Sequence, residues 1–92
     1  MRVNFYATLR EIVGKKTVEI SLPEGSTVRQ LITEITRRYP DLRRELLDEH
    51  GELLHHVHIF INGRDVPYLD NALESQIGTQ DVVSVFPAVG GG

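Results

Sequence analysis

The 92-residue chain contains no cysteine and no tryptophan, a single methionine, and only three Phe and three Tyr. The missing cysteines exclude disulfides, iron–sulfur clusters, thiolate zinc sites and cysteine nucleophiles. No apolar run is long enough to span a bilayer, and the N-terminal residues alternate apolar and polar instead of showing a charged stretch followed by an apolar block. The expected compartment is therefore the cytosol, with no membrane partner. Cations are scarce in one region: from Gly51 to Gly92, Arg64 stands alone against Glu52, Asp65, Asp70, Glu74 and Asp81. A nucleic-acid partner requires clustered Lys and Arg and is not expected. The acidic excess suits either solubility or attraction to a basic protein surface. The length excludes two independent cores and disfavours a deep, enclosed active site.

What is present is an ordinary folding composition, 40% hydrophobic and 25% charged with a net charge of −3. Val3, Phe5 and Ala7 alternate with Asn4, Tyr6 and Thr8, and Val18, Ile20 and Leu22 alternate with Glu19 and Ser21. This period of two predicts two strands, joined as a β-hairpin by a turn at Gly14-Lys15-Lys16. Pro23-Glu24-Gly25-Ser26 breaks the pattern. Val28, Leu31, Ile32, Ile35 and Tyr39 then recur at helical spacing, with Ser26 or Thr27 as N-cap and Pro40 as the stop. Leu42, Leu46 and Leu47 predict a short second helix within Asp41 to His50, ended by Gly51. Val57, Ile59 and Ile61 form a third strand, and Asn62-Gly63 is a strong two-residue hairpin signal. Pro67 confines the return limb to a sheet edge. In the last strand, ending at Phe86, Val83 and Val85 share one face, and Val82, Ser84 and Phe86 the other.

Two strands, a crossover helix and further strands in one small domain predict an α+β fold: a mixed sheet of four to five strands with one main helix on one face and a short second helix. This is the ubiquitin-like β-grasp layout, with the last strand near the sheet's centre beside the first. The domain spans residues 1–86.

Residues 87–92 read as a flexible tail ending in Gly-Gly. Pro87 cannot donate to a sheet ladder, and three successive glycines have no side chain to pack. Such a segment is either a frayed terminus or a substrate. A slim glycine tail can thread a narrow channel, and its terminal carboxylate, ionised at neutral pH, can attack an activated phosphorus to give a mixed anhydride.

Three segments carry a resemblance. Phe5-Tyr6-Ala7-Thr8-Leu9-Arg10-Glu11 resembles the first strand and the "ARLRE"-like turn of the MoaD/ThiS family of ubiquitin-like sulfur carriers. Val57 to Val66, with Asn62-Gly63-Arg64-Asp65, resembles that family's "NGR/D-x-V" hairpin. Asp81 to Gly92 resembles the closing pattern "D-E-V-x-[IF]-[FL]-P-[PA]-V-x-G-G", and the Phe-Pro-Ala-Val stretch fits the MoaD-like branch. The resemblance implies a carrier rather than an enzyme, countable at most as the small subunit of molybdopterin synthase. An E1-like adenylating enzyme (MoaB/MoeB/ThiF-like) would use ATP to adenylate Gly92, with Gly91 as its obligatory neighbour. A sulfurtransferase would then supply sulfur for a Gly92 thiocarboxylate. No cofactor is bound in this reading.

The sulfur acceptor implied first is the large subunit of molybdopterin synthase, in molybdenum cofactor biosynthesis. Cysteine or thiamine biosynthesis, tRNA thiolation and conjugation to proteins are the alternatives. Phe86, Pro87 and Val89, with Phe60 and Arg10, are the implied partner-binding residues.

His50, His55, His56 and His58 invite a metal reading, with His56 and His58 on one strand face. Two ligands without cysteine or a spaced third do not close a site, and no metal is expected. Asp41, Glu45, Asp48 and Glu49 among Arg43 and Arg44 read as a solvated helix face.

Overall fold

The computed structural model describes Met1 to Ala88. Its five strands are β1 (Arg2–Phe5), β2 (Thr17–Glu19), β3 (His58–Ile61), β4 (Arg64–Asp65) and β5 (Val82–Phe86), in the sheet order β2-β1-β5-β3-β4. Only the β1–β5 pair is parallel, with Phe5 beside Val85, whereas β3 runs antiparallel to β5 with His58 opposite Phe86. The last strand is thus central and lies beside the first, as expected of a β-grasp.

The main helix, α2 (Val28–Arg38), begins in a capping box. Thr27 accepts the Gln30 amide at 3.2 Å, and the Gln30 side chain accepts the Thr27 amide at 2.8 Å. Two amides that the helix cannot satisfy internally are thereby paired. The helix buries Val28, Leu31, Ile32 and Ile35 in one core with Val3, Phe5, Ile20, Ile59, Val83 and Val85. Asn62 (φ 52°) and Gly63 (φ 85°) make the β3–β4 turn, in the left-handed conformation that this residue pair tolerates.

Three expectations need correction. The first connection is not a tight hairpin, because Ala7–Val13 is a helix, α1, whose Leu9 is fully buried. Leu9, Ile12 and Val13 carry the helical spacing, and Gly14 ends it at φ 91° with its amide on the Arg10 carbonyl. Strands β1 and β2 pair across that helix. The second short helix, α3, is only Arg43–Leu46 after a 3-10 turn at Pro40–Leu42. Leu47 is already extended and bridges Leu53, so Gly51 belongs to a following turn. Finally, His56 lies in a turn before β3 and does not share a strand face with His58.

The acids after Gly51 are also less free than the sequence suggests. Glu74 accepts a hydrogen bond from Arg29, and Glu52 lies 3.9 Å from the same guanidinium. Asp65 pairs with His58, while Asp81 accepts from the Gly78 amide and the Asn62 side chain. Four of the five carboxylates therefore have partners in space, and those of Glu52, Glu74 and Asp81 include residues far away in sequence.

Candidate functional site: an aromatic band beside the tail exit

Alternation along β5 sends Val83 and Val85 into the core and Val82, Ser84 and Phe86 to the opposite face. The neighbouring strands do the same, so Tyr6, just past β1, and His58 and Phe60 on β3 face outward with Phe86. The four rings meet. Tyr6 and Phe86 stack nearly parallel, with centroids 4.3 Å apart and an interplanar angle of 9°. Phe60 meets Phe86 edge-on at 5.5 Å, and His58 lies 6.2 Å from Phe60. Offset and edge-on contacts of this kind satisfy the ring quadrupoles. Tyr6, Phe60 and Phe86 all stay partly exposed.

His58, Phe60, Asp65, Phe86 and Pro87 line a shallow groove of about 400 Å³. A larger depression, about 830 Å³, lies at α1 between Arg10, Glu11 and Lys15. Its charged lining is well solvated, whereas the smaller apolar groove is where burial against a partner releases water from apolar surface. The chain leaves the sheet at Pro87, at the rim of that groove. The outward face is aromatic only at this end of the sheet. At the other end exposed Arg2, Glu19 and Asn62 surround the exposed aliphatic Val82.

Of the residues singled out from sequence, the structure brings Phe60, Phe86 and Pro87 together. Arg10, exposed on α1, lines the polar depression and not the groove. Val89, Gly91 and Gly92 lie outside the described residues. Tyr6, His58, Asp65 and Lys16 were not anticipated. The Lys16 ammonium lies over the Tyr6 ring, 5.4 Å from its centroid, and His58 Nδ1 is 3.0 Å from Asp65 Oδ2. Their signal was available for Tyr6 and His58, which alternate with buried Phe5, Val57 and Ile59; Lys16 and Asp65 enter only through tertiary contact. Among the described residues, no group of three or more His, Asp or Glu side chains is arranged to hold a metal ion, and no helix is long and apolar enough to cross a membrane.

A five-stranded mixed sheet with its last strand central, a capped helix across one face and an aromatic band on the other defines a ubiquitin-like β-grasp protein. The chain belongs to the ThiS family, ubiquitin-like sulfur carrier proteins, whose family model matches residues 3–92. It is 35% identical to Small archaeal modifier protein 3 of Haloferax volcanii over 92 residues, covering 100% of this chain and 98% of that one. The crystal structure of SAMP1 from Haloferax volcanii superposes with a TM-score of 0.87 at 27% identity, covering 100% of this chain and 98% of the other. A Pyrococcus furiosus structure provisionally named molybdopterin converting factor, subunit 1, gives a TM-score of 0.76 at 36% identity, covering 96% and 95% of the two chains.

Proposed function

We propose that this chain carries sulfur on its C-terminal glycine, as a substrate of other enzymes rather than a catalyst. The observation that carries the reading is the path of β5: the central strand ends at Phe86 and Pro87, both lining the apolar groove, and the sequence continues from there to Gly90-Gly91-Gly92. An E1-like adenylating enzyme docks on Phe60, Phe86 and Pro87, with Arg10 and Val89 as further contacts, and takes the glycine segment into its active site. The Gly92 carboxylate attacks the α-phosphorus of ATP, releasing pyrophosphate and leaving an acyl adenylate. A sulfide equivalent from a sulfurtransferase then displaces AMP and leaves a thiocarboxylate. Gly91, without a Cβ, lets the segment pass a narrow channel. ATP belongs to the activating enzyme, and this chain binds no cofactor of its own.

Delivery to the large subunit of molybdopterin synthase is the first destination, supported by the Pyrococcus furiosus relative's name. Conjugation to proteins through Gly92 is the second reading, favoured by the full-length similarity to Small archaeal modifier protein 3.

Intact-mass measurement after incubation with the host's E1-like enzyme, ATP and a sulfur source tests the carrier step. One oxygen replaced by sulfur, lost on deletion of Gly92, is the expected result; an unchanged mass overturns it. Conjugates on other proteins that vanish with the same deletion identify the second reading, and sulfur transfer to the synthase large subunit identifies the first destination.

A further inference from the structure

The aromatic band is part of a longer ridge that crosses the whole sheet and ends in opposite charges. From the bend before β2 to β4 it runs Lys16, Tyr6, Phe86, Phe60, His58, Asp65, each member in contact with the next or over its ring. Lys16 is exposed, and its carbonyl accepts the Phe5 amide at 2.7 Å, which ties it to the sheet at that end. Asp65 is held in β4 opposite Phe60, and its side chain retains 17% exposure. Four strand-to-strand steps of about 4.8 Å separate the two ends, or about 19 Å. That exceeds the Debye length of about 8 Å at physiological ionic strength, so the two charges act on a partner independently.

We propose that this ridge is a polarised docking strip, and that its two end charges set the direction in which the E1-like activating enzyme lies across the sheet. The inference rests on the docking face assigned above and deepens it. The fitting partner is a protein surface with an apolar stripe, a carboxylate facing Lys16 and a guanidinium or ammonium facing Asp65. The apolar middle cannot tell one orientation from its reverse, because stacked and edge-on rings accept apolar atoms from either direction. Unlike ends can: in the reversed orientation both meet like charges, which costs affinity and association rate. Orientation matters because the glycine segment leaves at one place, Pro87, and must enter the partner's channel from there.

The test measures kcat/KM for ATP–pyrophosphate exchange by the host's E1-like enzyme, with this chain as the varied substrate. The variants are Lys16→Glu, Asp65→Asn and the double variant, with Phe86→Ala as a reference. Circular dichroism melts confirm that each is folded. Each charge variant lowers kcat/KM by about tenfold at about physiological ionic strength, the loss shrinks as salt rises further, and the two losses multiply in the double variant. If Phe86→Ala lowers the rate while both charge variants match wild type at all salt concentrations, the polarised strip is overturned and the docking face stands. If Phe86→Ala also matches wild type, both fall. Sedimentation equilibrium gives a second outcome that overturns the proposal. A wild-type dimer that Lys16→Glu dissociates and Lys16→Glu/Asp65→Lys restores would make a second copy of this chain the occupant.

Discussion

Replacing Phe86 with Ala separates what the aromatic band does for the fold from what it does for a partner. In the free chain Phe86 is partly exposed and engages two rings, Tyr6 at 4.3 Å and Phe60 at 5.5 Å. Each aromatic pair contributes about 0.5–1.5 kcal/mol beyond its area burial, so losing both costs at least about 1–3 kcal/mol, and partial exposure keeps the total below the roughly 3–5 kcal/mol of a fully buried Phe. For a domain this size, a central cost of about 2 kcal/mol lowers Tm by about 8–16 °C. Loss of a docking anchor is read separately: about 2 kcal/mol or more in the transition state for adenylation, or roughly thirtyfold in kcat/KM. Val85→Ala is the matched control from the opposite face. Val85 is fully buried, so its truncation costs about 2–3 kcal/mol of stability through lost transfer energy and a cavity, while the exchange rate stays at the wild-type value. Thermal melts give the first quantity and ATP–pyrophosphate exchange well below both midpoints gives the second. The reasoning is refuted if Phe86→Ala unfolds the chain, or if Val85→Ala and Phe86→Ala slow exchange equally.

Thr27→Ala removes the acceptor for the Gln30 amide and costs about 1 kcal/mol; a urea midpoint unchanged from wild type would show that the capping box contributes nothing. Gly14→Ala costs about 1 kcal/mol through backbone strain alone, since φ is 91° and no atom lies within 4 Å of the added Cβ. Gly78→Ala, at a position with ordinary φ and only the Asp81 carboxylate 3.6 Å away, stays within a few tenths of a kcal/mol of wild type in the same denaturant titration. The Asp48 carboxyl is held below its ordinary value by the Glu52 amide first and the His50 amide second. A lowered folded value means stability that is present above the unfolded pKa and lost as pH falls through the folded one. Asp48→Asn, which keeps an acceptor oxygen and drops the titration, should flatten the decline in urea midpoint between about pH 5 and 3; an identical decline in both proteins would remove Asp48 as its source.

The elements most legible in the sequence are those with a long, unambiguous period. Val28 to Tyr39 supplies three helical turns of apolar positions, Asn62-Gly63 names its own turn, and Val82 to Phe86 assigns its two faces. The segment from Val3 to Val13 misleads because its alternation through Ala7 overlaps a helical spacing that begins at Leu9. The choice is made by Gly14, which caps α1, and by Leu9, which must reach the core. The stretch after Pro40 carries helical spacing as far as Leu47, yet the Leu47–Leu53 bridge pulls it out of the helix. A tertiary pairing outweighs a weak local preference there.

The sequence by itself determined the fold class, the outward position of Phe86, the edge role of the short fourth strand and the glycine segment after Pro87. Each follows from short-range period or from the backbone limits of Pro and Gly. Only the tertiary structure decided which outward-facing side chains are neighbours. Tyr6, Phe86 and Phe60 come from three neighbouring strands or their ends, up to eighty residues apart, and they touch because β5 inserts between β1 and β3. Periodicity states which face a residue takes, but strand order and register state its neighbours, and those are settled by the shared burial of β1, β2, β3 and β5 in one core with α2.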